Sequence, residues 1–206
     1  MPITQKKQGF SFFRAAIAIV VLIAVYQVVE AILFPWARSL TGAPTLTGEW
    51  MGEMTTASGR HFLIWMELGH STDGAPGARR TFNLDGAAQT CEATGEQRRY
   101  SVMGNTENIR GTVFWINMLP QEKPEQRQKL ILVRLNGQWS GDRLEIDTQL
   151  LGGSRDATGR WALREIEGDP DTRAETRWHM QRGTEKDFQM KCSSIQKQTG
   201  KNLKPA

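Results

Sequence analysis

Two cysteines, three histidines and seven tryptophans are the side chains of this 206-residue sequence with the most chemistry to offer. Cys91 and Cys192 are its whole cysteine complement. An even count suits one disulfide if the chain meets an oxidising compartment. Closing a loop of about 100 residues would stabilise the fold by roughly 4–5 kcal/mol on the chain-entropy argument. Two separate buried thiols is the other reading, because sequence does not fix the Cα separation. His61, His70 and His179 show no short ligand spacing, and a zinc site needs three or four converging ligands. Gly152-Gly153-Ser154-Arg155-Asp156 is not a nucleophile elbow, and no glycine-rich phosphate loop precedes a helix. Glu49 and Glu53 fall on the outward face of a strand, where solvated acids belong. No catalytic group, metal or cofactor is expected.

The tryptophans divide by position. Trp36 suits a membrane interface, and Trp50, Trp161 and Trp178 fall on inner strand faces. Trp65, Trp115 and Trp139 are less clearly placed, and Trp65 is expected to be exposed. Core packing accounts for most of them. Trp50, Trp65, Trp115 and Trp178 are the candidate contacts for an apolar ligand or a protein partner.

Residues 15–34 decide where such contacts operate. They read AAIAIVVLIAVYQVVEAILF, with Glu30 the single ionisable group apart from Tyr26. Twenty helical residues at about 1.5 Å each cover a hydrocarbon layer of about 30 Å. Pro35 stops the helix. Leu33-Phe34-Pro35-Trp36 is a poor peptidase site and the run exceeds a signal-peptide core, so an uncleaved anchor is expected. Lys6, Lys7 and Arg14 precede the run, whereas Arg38 is the sole Lys or Arg in the 20 residues after it. The positive-inside rule then puts the N-terminus in the cytoplasm and the rest beyond an inner membrane, in the periplasm or outside the cell. Arg14, Glu30 and Trp36 are the expected interface residues. Gln27 and Glu30 share a helix face, and Glu30 is expected to reach water rather than a partner helix.

Residues 1–14 form a basic cytoplasmic start, 35–45 a linker, 46–192 the soluble domain, and 193–206 a basic tail expected to be disordered. From Leu46 the apolar residues alternate with period two, the pattern of half-buried strands. Phe62, Ile64, Met66 and Leu68 form one such face. Turns are expected at 57–59, Asp85-Gly86, Gly104-Asn105 and, most strongly, Asn136-Gly137. His70 is expected in a loop, and Phe188, Met190 and Cys192 on a last strand. The expected fold is all-β, an antiparallel barrel or sandwich of 8–10 strands, with no helix after the anchor.

Gly48-Glu49-Trp50 at the opening of the first strand resembles the G-x-W of lipocalin-type barrels, where the tryptophan plugs one end. A cysteine in the first half bridged to one near the C-terminus, as Cys91 and Cys192 would be, is also similar to that family. The resemblance implies a small apolar ligand held inside the barrel.

The formal charge of +4 is not spread over the domain. Residues 35–190 hold 19 Lys and Arg against 21 Asp and Glu, so the basic excess lies at the two ends. Nucleic-acid binding needs clustered cations on the folded surface, and none is expected. The bilayer, through residues 15–34, is one expected partner. Beyond it, the leading expectation is a non-enzymatic protein-interaction module of the cell envelope, of assembly or immunity type. A possible second apolar face at Leu63, Trp65, Phe114 and Ile116 motivates it. A carrier of lipid or another apolar molecule, and an envelope hydrolase with an unrecognised site, are the alternatives.

Overall fold

The computed structural model describes residues 9–71, 82–121, 130–155 and 161–202. Residues 1–8, with Lys6 and Lys7, 72–81, 122–129, 156–160 and 203–206 lie outside them. Helix α1 spans Gly9–Leu33, starting six residues before the expected apolar run. Its segment Phe12–Leu33 is long and apolar enough to cross a membrane, and nearly all its side chains are uncovered by protein. The last helical bond joins the Phe34 amide to the Glu30 carbonyl, immediately before Pro35.

Among the described residues nine strands follow: β1 (Gly48–Thr55), β2 (His61–His70), β3 (Leu84–Glu92), β4 (Gln97–Thr106), β5 (Val113–Pro120), β6 (Leu130–Ser140), β7 (Arg143–Arg155), β8 (Trp161–Arg164) and β9 (Thr176–Arg182). Consecutive strands from β1 to β7 pair antiparallel, then β7 pairs with β9 and β9 with β1. The result is a closed eight-stranded antiparallel barrel rather than a sandwich. β8 extends the edge of β7 beyond the point where β9 stops. Closure removes the unpaired edges that an open sheet would expose.

Alternation selects the lining. Trp50, Ile64, Met66, Leu84, Phe114, Ile116, Leu135, Ile146, Trp178 and Met180 point inward and belong to one buried cluster. The starts of β1, β3, β5 and β7 and the ends of β2, β4, β6 and β9 lie at the end where α1 joins, called here the near end. The far end carries a helical turn, α2 (Pro170–Arg173), capped by the Asp169 carboxylate on the Asp171 amide.

Three expected turns are strand interior. Asp85-Gly86 lies in β3, Gly104-Asn105 in β4 and Asn136-Gly137 in β6, whose turn comes later, at Gly141-Asp142. These glycines serve close approach. A Cβ on Gly137 would stand 2.1 Å from the Phe114 ring, and one on Gly104 would stand 2.0 Å from the Trp115 carbonyl oxygen.

The expected last strand is also corrected. Glu185–Asn202 is a helix, α3, so the boundary placed at residue 192 falls within it and residues 193–202 are helical. Thr184 and Asp187 bond reciprocally, hydroxyl to carboxylate at 2.7 Å and amide to hydroxyl at 3.2 Å, which caps the N-terminus. Phe188, Cys192 and Ile195 then share one side and pack on Leu63, Trp65 and Cys91 on the outside of β2 and β3. Met190, expected on the same face as Phe188, is exposed. The Cys91 and Cys192 sulfurs stand at disulfide distance, 1.99 Å, with their Cα atoms 5.9 Å apart.

Asp171 clips the far end together. It is buried, and its carboxylate accepts from the Ser58 amide at 2.7 Å and the Ser58 hydroxyl at 2.6 Å. Burial pushes its pKa up, but the bonds from Ser58 and Thr56 and the charge of Arg60 outweigh that and hold it below the usual value. A depressed carboxyl pKa contributes stability that is present above the unfolded value and lost as pH falls through the folded one. Asp171→Asn is therefore expected to lower stability at neutral pH. It should also flatten the acid-induced loss below about pH 4. Denaturant titrations of both proteins at several pH values check this, and parallel pH curves would refute it.

Candidate functional site at the helix-barrel junction

The junction is built from the last turns of α1 and the ten or so residues after it. Trp36, expected as an exposed interface anchor, is 1% exposed and packs inside the near end of the barrel. It meets Phe34 edge-on at 6.2 Å and His70 edge-on at 5.3 Å, and the Phe34 and His70 rings are 4.3 Å apart. Its carbonyl accepts from the Leu46 amide at 2.7 Å, and the Ala37 carbonyl accepts from the Thr47 hydroxyl at 3.0 Å. The segment expected to be a linker is thus folded onto the barrel mouth. Gly111, at φ +65°, makes the room: a Cβ there would sit 2.3 Å from the Trp36 Cβ.

Glu30 does not reach water. It is buried, accepts from the Tyr26 hydroxyl, and pairs with Arg38 at 2.8 Å. The same Arg38 nitrogen donates to Gln27. Two polar side chains of α1, Gln27 and Glu30, thereby converge on one cation supplied from beyond Pro35, with Tyr26 behind Glu30. Arg14 is exposed on α1, well away from this cluster.

His70 is the last residue of β2 rather than part of a loop. Burial against the aromatic pair lowers its pKa below the ordinary histidine value, despite the opposing charges of Glu30 and Asp85. The ring is accordingly neutral near pH 7. Arg38 pairs with the carboxylate beside it, and the constellation fixes the helix to the barrel.

Beside it, Arg182 lies flat on Trp50, 3.7 Å from the ring centroid. Arg182 donates to the carbonyls of Thr45 and Thr47, and Trp50 donates to the Leu46 carbonyl at 2.8 Å. Trp50 therefore seals the near end from within. Trp178 lies inward and buried. Trp65, expected to be exposed, is buried beneath α3. Trp115 points outward, half-buried, against Phe82. The supposed second apolar face does not exist: Leu63 and Trp65 are under α3, while Phe114 and Ile116 line the core. The side chain of Trp161 lies outside the described ones.

Two other places hold polar groups. At the far mouth, Arg60 pairs with Glu92 at 2.8 Å and Arg98 with Glu96 at 2.9 Å. The space among Phe62, Thr90, Arg98, Tyr100, Leu132 and Leu150 is only about 10 Å³. Outside, an open groove of about 530 Å³ runs between β9, β1 and α3, lined by Met51, Glu53, Leu63, Arg177, His179 and Lys191. His179 contacts Arg143 at 3.1 Å, Arg177 forks onto Asp147, and Lys191 stands 3.7 Å from Glu53. His61 contacts the Thr55 hydroxyl at 2.9 Å. Among the described residues, no group of three or more His, Cys, Asp or Glu is placed to hold a metal ion.

Sequence reasoning used Arg38 only for orientation, expected His70 in a loop and passed over Arg182, because the contacts that give them roles span up to 137 residues. The capping pair Thr184 and Asp187 was legible as a T-x-x-D motif before an apolar i, i+4, i+7 stripe.

No protein-family model matches this chain, and no curated protein sequence matches it. Among solved structures it is similar to a de novo designed fluorescence-activating β-barrel at 12% identity and a TM-score of 0.37. That match covers 66% of this chain and 93% of the design, and nothing of the design's purpose transfers at this distance.

Proposed function

We propose that the chain is a single-pass membrane protein whose barrel is a non-enzymatic protein-interaction module of the cell envelope. In this reading α1 lies in the inner membrane with its N-terminus in the cytoplasm, and the barrel stands on the far side. One observation carries it: Trp36, three residues beyond the apolar helix, is buried in a barrel whose interior is filled by side chains. A filled barrel held rigidly at the end of an anchor offers partners its outer wall. Lys6, Lys7 and Arg14 before the helix support the orientation, and the Cys91–Cys192 pair suits an oxidising compartment.

The groove beside α3 is the surface assigned to the partner. It puts the half-buried, apolar Met51 between charges of both signs, the composition of a specific rather than an obligate interface. Full-length protein, extracted in mild detergent, should carry a stoichiometric protein partner that a Met51→Glu, His179→Glu variant with unchanged circular dichroism loses. Recovery of both proteins as partner-free monomers refutes the reading.

A lipocalin-like carrier is the second reading. Its support is Trp50 of the G-x-W motif, which plugs the near end under Arg182 as that family's tryptophan would. The filled interior weighs against cargo inside. Native mass spectrometry of the full chain decides this, since a carrier would keep a bound small-molecule mass.

A further inference from the structure

We infer that the near rim of the barrel is a second membrane contact, seated in the headgroup layer beside the point where α1 emerges. The inference rests on the reading of α1 as a membrane anchor and goes beyond it, because a tethered barrel could equally stand clear of the lipid. Reach is the first argument. Leu33 ends the helix and Trp36 is already inside the barrel, so three residues of at most about 3.6 Å each separate the two. The Glu30–Arg38 pair and the Phe34–His70 contact remove the remaining slack. The rim therefore lies no more than about 11 Å from the helix end, the distance scale of the headgroup region.

The chemistry of that rim is the second argument. Ile109, in the loop joining β4 to β5, is 76% exposed, and Leu40 is 61% exposed. Both belong to the segments that meet at Trp36: Gly111, two residues after Ile109, packs on its side chain. Farther round, Phe82 precedes β3 and Trp115 lies near the start of β5, their rings edge-on at 6.0 Å on the outer wall. Asn105 and Asn136 flank Trp115 in the neighbouring strands. Apolar and aromatic groups with amide neighbours are what an interfacial belt uses, since one end of each ring stays wet. Arg110, exposed beside Ile109 in the same loop, adds a cation of the kind that meets lipid phosphates.

The experiment uses the full chain in phospholipid vesicles with its native cysteine pair oxidised. A single cysteine replaces Ile109, Leu40 or, as a far-end control, Glu175, and carries an environment-sensitive fluorophore. Vesicles contain a lipid with a nitroxide just below the headgroup. The labels on Ile109→Cys and Leu40→Cys are expected to emit to the blue of the Glu175→Cys label and to be quenched by the nitroxide, while the control is not. Emission at both rim sites equal to the control, in protein that resists an alkaline carbonate wash, overturns the rim contact and leaves the anchor standing. Blue-shifted but unquenched rim labels overturn it in favour of a protein covering the rim. Release by the carbonate wash overturns the anchor reading itself.

Discussion

Trp36→Ala is expected to cost about 3–5 kcal/mol of unfolding free energy, measured by denaturant titration of the full chain in detergent. The side chain is buried to 1%, among the largest so buried, and touches the core, His70 and Phe34. Collapse cannot close the space, because the residue is held by closed sheet on one side and by the helix end on the other. Leu40→Ala, four residues later but 61% exposed, should change stability by no more than about 0.5 kcal/mol. The contrast matters for function as well as for stability. If Trp36 only anchored lipid, both substitutions would be mild and the junction would be a tether. Gly111→Ala supplies an independent check, because its Cβ would fall 2.3 Å from the Trp36 Cβ at a φ of +65°. It should approach the cost of Trp36→Ala while removing no apolar surface at all.

What the sequence carried, and what it withheld, follows from the range of each signal. The apolar helix and the alternation of Phe62, Ile64, Met66 and Leu68 are local patterns, and both correspond to elements in place. The turn at 57–59 is in place, whereas the other three failed for a different reason. Asn136-Gly137 has the composition of a tight hairpin, yet its glycine makes way for the Phe114 ring from a neighbouring strand. A glycine chosen for φ and one chosen for space look identical until the partner strand is known. Residues 188–192 alternate as Phe-Gln-Met-Lys-Cys, which suits a strand as well as a helix over so short a window. Extending it to Ile195 and back to Thr184 resolves the ambiguity. The junction was the least legible part, since Glu30, Arg38 and His70 acquire their roles only when barrel and anchor meet.

The other large effect belongs to the Cys91–Cys192 pair. Replacing both by alanine is expected to remove up to about 4–5 kcal/mol, the chain-entropy value for a closed loop of this length. The loss has a definite place in the fold, because the two residues pin α3 across the outer wall over Leu63 and Trp65. What remains to hold α3 is the buried Phe188, the Thr184–Asp187 cap, and polar contacts such as Gln189 to Gln89 at 2.9 Å. A cap contributes about 1 kcal/mol, and a buried phenylalanine about 2–3. Those terms compete with the entropy of ordering an 18-residue helix, so α3 should detach before the barrel opens. Hydrogen exchange of the double variant is then expected to show α3 amides losing protection while β2 and β3 keep theirs. The groove lined by Lys191 would lose one wall in the same step, and the proposed partner binding would go with it. Equal protection of α3 in both proteins would mean that side-chain packing alone suffices, and that the groove survives reduction.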